Sequence, residues 1–419
     1  MIPMFAKRPS PGFDPGAPDF NALLADAGAG AVVTSFTGYG VATFVRATIA
    51  STVDSAGLIA NVASGVARSR YDPATLTYQG YFAEGAATNL CLQSEDFGTT
   101  WAAVGTPTRS AAAATCGTLV LDLLGDDDGS GLEGYTQTVT FTGNAVKAIS
   151  IFFKEGTSSS SVIQLLDTSA PATRLLAAIT WSGGVPTVTM TTGTLIQTVG
   201  PFGASGVYRA EMLTTSVTAA NTNSFRVYPA TDAALDTSAT GNLNFGGAMA
   251  ENSALACAAY IPTTTATVTK NADSLVYLAA NMSASAGTAY AEVVSTQSAT
   301  ATNASPFLDG GATTTGLLLG RQTLAALTTI SMDDGPNMLE KTGLTSIFNA
   351  IRKRASAWGG TTQSITGDGA AVSSGTFDTT MTATSVRVNT QPLGCGVCMK
   401  EVKIWTTNAT DTQLVTLTT

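Results

Sequence analysis

The chain is expected to be all-β, two β-sandwiches in tandem behind an extended N-terminal segment with a hairpin, and three features of the sequence predict this. Charged residues make up only 12% of it against 44% hydrophobic, about half the roughly 25% charged share of an average soluble protein, so the surface must be made largely of Thr, Ser, Asn and Gly. Those residues suit pleated strands and tight turns: β-branched Thr fits a half-buried sheet, while Gly, Asn and Ser supply turn geometry. Short apolar runs then recur with turn signals at roughly ten-residue intervals, the rhythm of a sandwich or barrel. No heptad repeat runs through the chain, so no coiled-coil shaft is encoded.

Taken in order, residues 1–40 carry Pro3, Pro9, Pro11, Pro15 and Pro18 among Gly and small residues, which prevents helix and discourages paired strand. This segment should be extended, either ordered only against a partner or a frayed terminus. The runs Val41–Ala50 and Leu58–Val62, separated by Asp54-Ser55-Ala56-Gly57, read as a hairpin. Strands are then expected at Tyr135–Thr142, Val146–Lys154, Val162–Asp167, Arg174–Trp181, Thr194–Val199, Val207–Leu213, Phe225–Tyr228 and Leu243–Met249. Ile149, Ile151 and Phe153 share one face of theirs, and Tyr208, Ala210 and Met212 oppose Arg209 and Glu211, the alternation of half-buried strands.

Tyr260–Asp273, with Pro262 and a Thr-rich run, reads as the connection into a second sandwich. Its strands are expected at Ala289–Val294, Leu317–Arg321, Leu327–Met332, Ser346–Ile351, Ala355–Trp358, Val386–Asn389 and Val397–Trp405, with a turn or short helix around Asp411–Leu417. The resulting division is an attachment segment with hairpin over 1–90, a first sandwich over 91–272 and a second over 273–419.

Composition removes several function classes. A net charge of −9 with scattered Lys and Arg repels phosphate backbones, so nucleic acid is not an expected partner. No run of about 18 apolar residues occurs despite a mean hydropathy of +0.21, and membrane insertion is not expected. The start lacks the apolar stretch of a secretory signal. There is no histidine, which excludes Ser-His-Asp and Cys-His mechanisms, His-ligated metals and imidazole switching. Five cysteines, an odd number, give no disulfide framework. Cys91, Cys116 and Cys257 sit among apolar or small residues and read as buried hydrophobes, while the Cys395-x-x-Cys398 pair has no further ligands for zinc.

Phe44-Val45-Arg46-Ala47-Thr48 and Val53-Asp54-Ser55-Ala56-Gly57-Leu58-Ile59 resemble the opening of a family of phage virion surface proteins, of tail-fibre and head-fibre type. The likeness continues through Arg70-Tyr71-Asp72-Pro73-Ala74-Thr75 and Gly85-Ala86-Ala87-Thr88-Asn89-Leu90-Cys91-Leu92-Gln93-Ser94-Glu95-Asp96-Phe97, with Trp101 beyond. The resemblance implies a jelly roll similar to carbohydrate-binding modules, whose last strand and exit are Gly241–Met249 and Tyr260–Thr264. It further implies a concanavalin A-like lectin sandwich through Arg354–Ala371 and Glu401–Trp405. The implied function is structural and adhesive, without catalysis, on the exterior of a phage particle. Implied partners are other virion proteins through residues 1–40, the chain itself as a homo-oligomer, a trimer by expectation, and a host cell-surface glycan. A capsid decoration or head-fibre protein anchored by its N-terminus is one alternative, and a polysaccharide depolymerase the other.

No catalytic or ligand-binding residue stands out. Asp126, Asp127 and Asp128, followed by Gly129-Ser130-Gly131, are a calcium candidate, since adjacent carboxylates on a flexible loop suit a hard cation; the alternating ligands and distal Glu of an EF-hand are missing, and a solvated acidic turn is the default, so no cofactor is expected. Asp333-Asp334-Gly335 reads as a turn. The Glu-x-Asp-x-x-Glu pattern of lectin-fold glucanases does not occur. Trp101, Trp181, Trp358 and Trp405, the four tryptophans, can stack on sugars but belong more naturally to the core. Arg352-Lys353-Arg354 reads as charge kept in water at a strand end.

Overall fold

The computed structural model describes residues 20–23, 26–28, 31–32, 42–253, 257–278, 282–296, 305–310, 317–321, 328–378, 385–388 and 396–419. Strands dominate, as the composition requires, and the one α-helix among these residues is Asp411–Thr418.

The inner sandwich comes from one continuous stretch. One six-stranded sheet runs in the order Ala102–Val104, Gly134–Val139, Asn223–Tyr228, Ser160–Asp167, Ala172–Ser182, Val185–Thr192. The facing sheet runs Thr108–Cys116, Leu119–Asp126, Gly241–Glu251, Ala148–Lys154, Val207–Leu213, Thr194–Val199. Every pairing is antiparallel. Because side chains alternate across a strand, Ile149, Ile151, Phe153, Tyr208, Ala210 and Met212 all point inward. They meet Ile163, Leu165, Leu175, Ile179, Phe225 and Val227 of the opposite sheet.

The other faces of those central strands are not solvated, contrary to expectation. Arg209 and Glu211 are only 6% and 4% exposed, because further chain lies over them. The hairpin Ala50–Val53 and Ile59–Val62 packs Val53 and Ile59 against Phe152, Phe202, Val207, Met249 and Tyr260. The Asp54 carboxylate accepts the amides of Ala56 and Leu58 at 2.9 Å each and shapes the turn that Asp54–Gly57 predicted. Contact is close enough to demand glycine: Gly117 has φ +64°, and a Cβ there would lie 2.0 Å from the Ile59 carbonyl oxygen.

The outer sandwich draws on both ends of the chain. Its ten-stranded sheet holds Arg68–Tyr71 and Tyr78–Ala83 from the early chain beside Val397–Trp405, Ala286–Ser295, Arg352–Gly359, Thr362–Gly367 and Ser373–Thr376. Its seven-stranded partner combines Thr43–Val45 with Ser274–Leu278, Ser385–Val388, Ser305–Asp309, Leu317–Arg321, Ile330–Asp333 and Met338–Lys341. Between them lies a core of Tyr81, Leu275, Tyr277, Leu308, Met332, Trp358, Val386, Val402 and Ile404. The helix Asp411–Thr418, opened by a Thr410–Gln413 capping box, buries Leu414 against Tyr290, Ala355, Ala357 and Trp405 on the far face of the ten-stranded sheet.

This nesting corrects the expected division at residue 90. Thr43–Val45, assigned to the hairpin, instead pairs with Ser274–Val276. The expected connection Tyr260–Asp273 ends as predicted, but at an unpredicted strand, Ser274–Leu278, and it contains Val268–Lys270, paired with Ala87–Asn89. Phe20–Leu23 pairs in register with Glu401–Ile404, so this part of residues 1–40 is ordered by its own chain. Ser346–Ile351 forms no strand, only the isolated bridge of Phe348 to Ser295. The hairpin Thr108–Cys116 and Leu119–Asp126, and Thr362–Gly367, were not anticipated from the sequence.

Candidate functional site

The residues that carried the family likeness form the seam between the two sandwiches. Asn89 donates to the Ala248 and Ile261 carbonyls at 3.0 and 2.9 Å and accepts from the Cys91 amide at 3.0 Å. The Ser94 hydroxyl lies 2.9 Å from that of Tyr260, which donates to Glu95 at 2.7 Å. These are architectural contacts, fastening the entry of the inner sandwich to its exit.

Beside the seam the strand Arg68–Tyr71 turns two guanidiniums to one side, since i and i+2 share a face. Both lie over the Phe82 ring, with centroid distances of 4.4 Å for Arg68 and 5.0 Å for Arg70. Arg68 is provided for: it pairs with Asp273, reaches Glu84 at 3.3 Å and donates to the Ser51 carbonyl at 2.6 Å. Arg46 pairs with the other Asp273 oxygen at 2.9 Å, and Lys270 approaches Glu84 and Asp273 at 3.7 and 3.9 Å. All five groups are at most 2% exposed. Burial alone would depress Arg68, but Asp273 and Glu84 outweigh it and hold its pKa above the ordinary value. Burial likewise pushes Asp273 upward, and Arg68, Lys270 and Arg46 reverse this.

Arg70 has no such provision. Its Nε is enclosed without a hydrogen-bond partner, and among the described residues no carboxylate forms an ion pair with it. Burial lowers its pKa. The neighbouring carboxylates are engaged elsewhere: Glu84 with Arg68 and the Ala259 amide, Glu211 with Arg209 at 2.8 Å and Gln197 at 2.8 Å. Arg70 lines a cleft of about 310 Å³ between the sandwiches, whose walls include Asp72 and Pro73, Gln197 and, from the outer sandwich, Phe348 and Asn349. Gln197 bridges the gap, donating to the Thr296 carbonyl at 2.9 Å. The volume is at the lower end of that of small-molecule pockets.

The residues singled out from sequence lie elsewhere. Asp126 is 2% exposed, with one oxygen accepting the Glu133 amide at 3.2 Å and the other enclosed without a partner. Burial, aided by the Glu133 charge, raises its pKa to about 6. Asp127 and Asp128 are exposed, and Asp128 accepts from the Ser130 amide and hydroxyl at 2.9 and 2.6 Å. No group of three acidic or cysteine ligands able to hold a metal occurs among the described residues. Trp101, Trp358 and Trp405 are core residues, at most 4% exposed. Trp181 is half-buried against Phe153 and Tyr208. Cys91, Cys116, Cys257 and Cys398 are buried thiols outside any disulfide; Cys395 lies outside the described residues. Arg354 departs from expectation: it is fully buried, paired with Asp368 at 2.6 Å and donating to the Thr345 carbonyl at 2.6 Å. Asp333–Gly335 is the predicted turn, with the Asp333 carboxylate accepting the Gly335 amide at 2.8 Å.

Sequence reading passed over Arg70, Gln197, Phe348 and Asn349 as site residues. One signal was present: Arg68-x-Arg70 followed by Asp72-Pro73 places two cations on one strand face at a turn, in a chain with only 20 Lys and Arg. No known family model matches the chain, and no curated protein matches it.

Proposed function

We propose that this protein is a non-enzymatic structural and adhesion component of the exterior of a phage particle, whose sandwiches engage glycans of the host surface. The observation that carries the binding part of this reading is the cleft between the sandwiches, where Arg70, Gln197 and Asn349 supply polar groups and Phe348 and Pro73 apolar ones. Sugar recognition needs that mixture, an apolar surface for the ring face and a few convergent hydrogen-bonding groups. The virion assignment rests on the resemblance carried by Arg70–Thr75, of which Arg70, Asp72, Pro73 and Ala74 line the cleft, and by Gly85–Phe97, which fastens the entry of the inner sandwich to its exit.

Binding without turnover is favoured by the acid–base inventory of the cleft. Glycoside hydrolysis generally takes two carboxylates across the scissile bond, and Asp72 is the single carboxylate lining the cleft among the described residues. Its Oδ1 accepts the Ala74 and Thr75 amides at 3.0 and 2.7 Å, which commits it to the turn. Attachment to other virion proteins, expected of residues 1–40, then falls to the residues ahead of Phe20, because Phe20–Leu23 is occupied by its own sheet.

Two measurements test this. Antibody labelling of intact particles should place the chain on their outside. The purified protein on an array of bacterial surface polysaccharides should bind and release no oligosaccharide; products that vanish on a single Asp or Glu substitution would make it a depolymerase instead.

A further inference from the structure

Resting on the adhesion reading above, we infer that the cleft selects an acidic saccharide, with the carboxylate or phosphate substituent of the sugar held by Arg70. Two guanidiniums stack on one ring, and the comparison between them carries the argument. The chain supplies Arg68 with two carboxylates and a carbonyl, and supplies Arg70 with none among the described residues.

Arg70 is half-buried at the wall of an open cleft, its Nε cut off from any partner, and a partly desolvated guanidinium without a counter-ion is costly; Glu84 and Glu211 do not relieve it, both being held by other arginines. Orphan Nε atoms also occur on Arg68, Arg174, Arg209 and Arg354, but each of those four has an ion-pair partner. An external oxyanion would complete what the fold leaves open. The planar fork of arginine matches carboxylate and phosphate in a two-bond geometry that neutral hydroxyls cannot reproduce.

The remaining walls fit the rest of a sugar. Phe348 and Pro73 supply apolar wall, Asn349 supplies an amide for hydroxyls, and Gln197, whose NH2 is spent on Glu211 and Thr296, can add only its carbonyl oxygen. Asn349 sits on the exposed loop in a left-handed conformation at φ +48°, one that Asn tolerates better than most residues. The walls come from both sandwiches, so the site exists only when they are closed on one another.

The experiment is calorimetric titration of the full chain with three probes: oligogalacturonate for the carboxylate, mannose 6-phosphate for the phosphate, and maltotriose as the neutral control. One charged probe should bind at least about tenfold more tightly than the neutral one, and which of the two does so identifies the anion. Arg70→Gln should abolish that preference and Arg70→Lys should retain part of it, since Lys keeps the charge but not the fork. Asn349→Asp, on the exposed loop, should weaken the charged probe by repulsion while leaving Tm unchanged, which keeps the test decisive if Arg70→Gln folds poorly. Saccharide binding that is indifferent to charge, or unaltered by Arg70→Gln and Asn349→Asp, overturns the inference and leaves the adhesion reading standing. No binding of any probe, together with an empty polysaccharide array, overturns both.

Discussion

The two sandwiches reach the same layered architecture by opposite routes. The inner one takes all its strands from a single stretch and packs Ile149, Ile151, Phe153, Ile163, Phe225 and their neighbours between its sheets, its buried Arg209–Glu211 pair lying on the outward face of one of them. The outer one must bring together strands from both ends, and at that closure sits a buried cluster of Arg46, Arg68, Glu84, Lys270 and Asp273. Arg46 and Asp273 are 227 positions apart. Apolar burial is non-directional and stabilises whatever packs, whereas a buried ion pair is favourable only in one geometry. The difference teaches that charge is used here to specify which distant segments meet, and apolar area to hold each layer together.

The largest expected effect tests that division. Asp273→Ala leaves Arg46, Arg68 and Lys270 without their shared carboxylate, and breaking a buried pair on one side costs about 3–5 kcal/mol. The outer sandwich should melt earlier in calorimetry as a separate transition while the inner one keeps its own; a single transition shifted as a unit would show that the two are not energetically distinct. The converse change, Ile163→Ala, removes part of the inner core, where Ile163 is fully buried, and should cost about 3 kcal/mol. It should lower the inner transition alone.

What was legible in the sequence follows the same line. Thr194–Val199, Val207–Leu213, Leu317–Arg321 and Val397–Trp405 are strands with the predicted bounds, because each is an apolar or alternating run bounded by turn residues. Thr108–Cys116 was hidden by Ala111–Ala114, which has weak strand preference; the strand holds through the pairs on either side, Thr108–Ser110 with Leu123–Gly125 and Ala114–Cys116 with Leu119–Leu121, and bulges between them. Nesting was illegible for a stronger reason: nothing local to Thr43–Val45 says that its partner lies at Ser274–Val276. The polar face of Val207–Leu213 misled for the same reason, since alternation signals a second environment but not whether that environment is water or another layer. The cleft was invisible because its walls are far apart in sequence, at Arg70, Gln197 and Phe348.

A smaller effect singles out two buried carboxylates of the inner sandwich by pH. Burial raises the pKa of Glu251 to about 8 from 4.5, against the pull of Arg209, and that of Asp126 to about 6 from 3.8. Between the unfolded and folded values the native state binds more protons than the unfolded one, so stability falls as pH rises through that window. Asp273 works the other way: its depressed pKa contributes stability above 3.8 that is lost as pH falls through its folded value. Stability should therefore be highest near pH 5 and decline toward pH 8, read as a fall of several degrees in Tm across that window. Glu251→Gln should flatten most of that decline and Asp126→Asn the part below pH 6. If neither substitution changes the slope, Glu251 and Asp126 are not the groups that titrate.

The smallest effect expected is that of salt, and it bears most directly on whether the charge cluster is closed off. Ion pairs in contact with solvent are screened over about 8 Å at physiological ionic strength and contribute about 0.2–1 kcal/mol each; here they include Arg109–Asp96, with side chains 24% and 40% exposed, and Lys403–Glu401, 26% and 20% exposed. The Arg46–Asp273 pair has no exposed side-chain surface at all, so counter-ions have no approach to it. Raising sodium chloride from about 0.05 to about 0.5 M should therefore move Tm by less than about 2 °C, the net charge of −9 favouring a slight rise as self-repulsion is screened. A large fall confined to the outer transition would mean that water and ions reach Asp273, and that the two ends of the chain are held together from outside the cluster rather than by it.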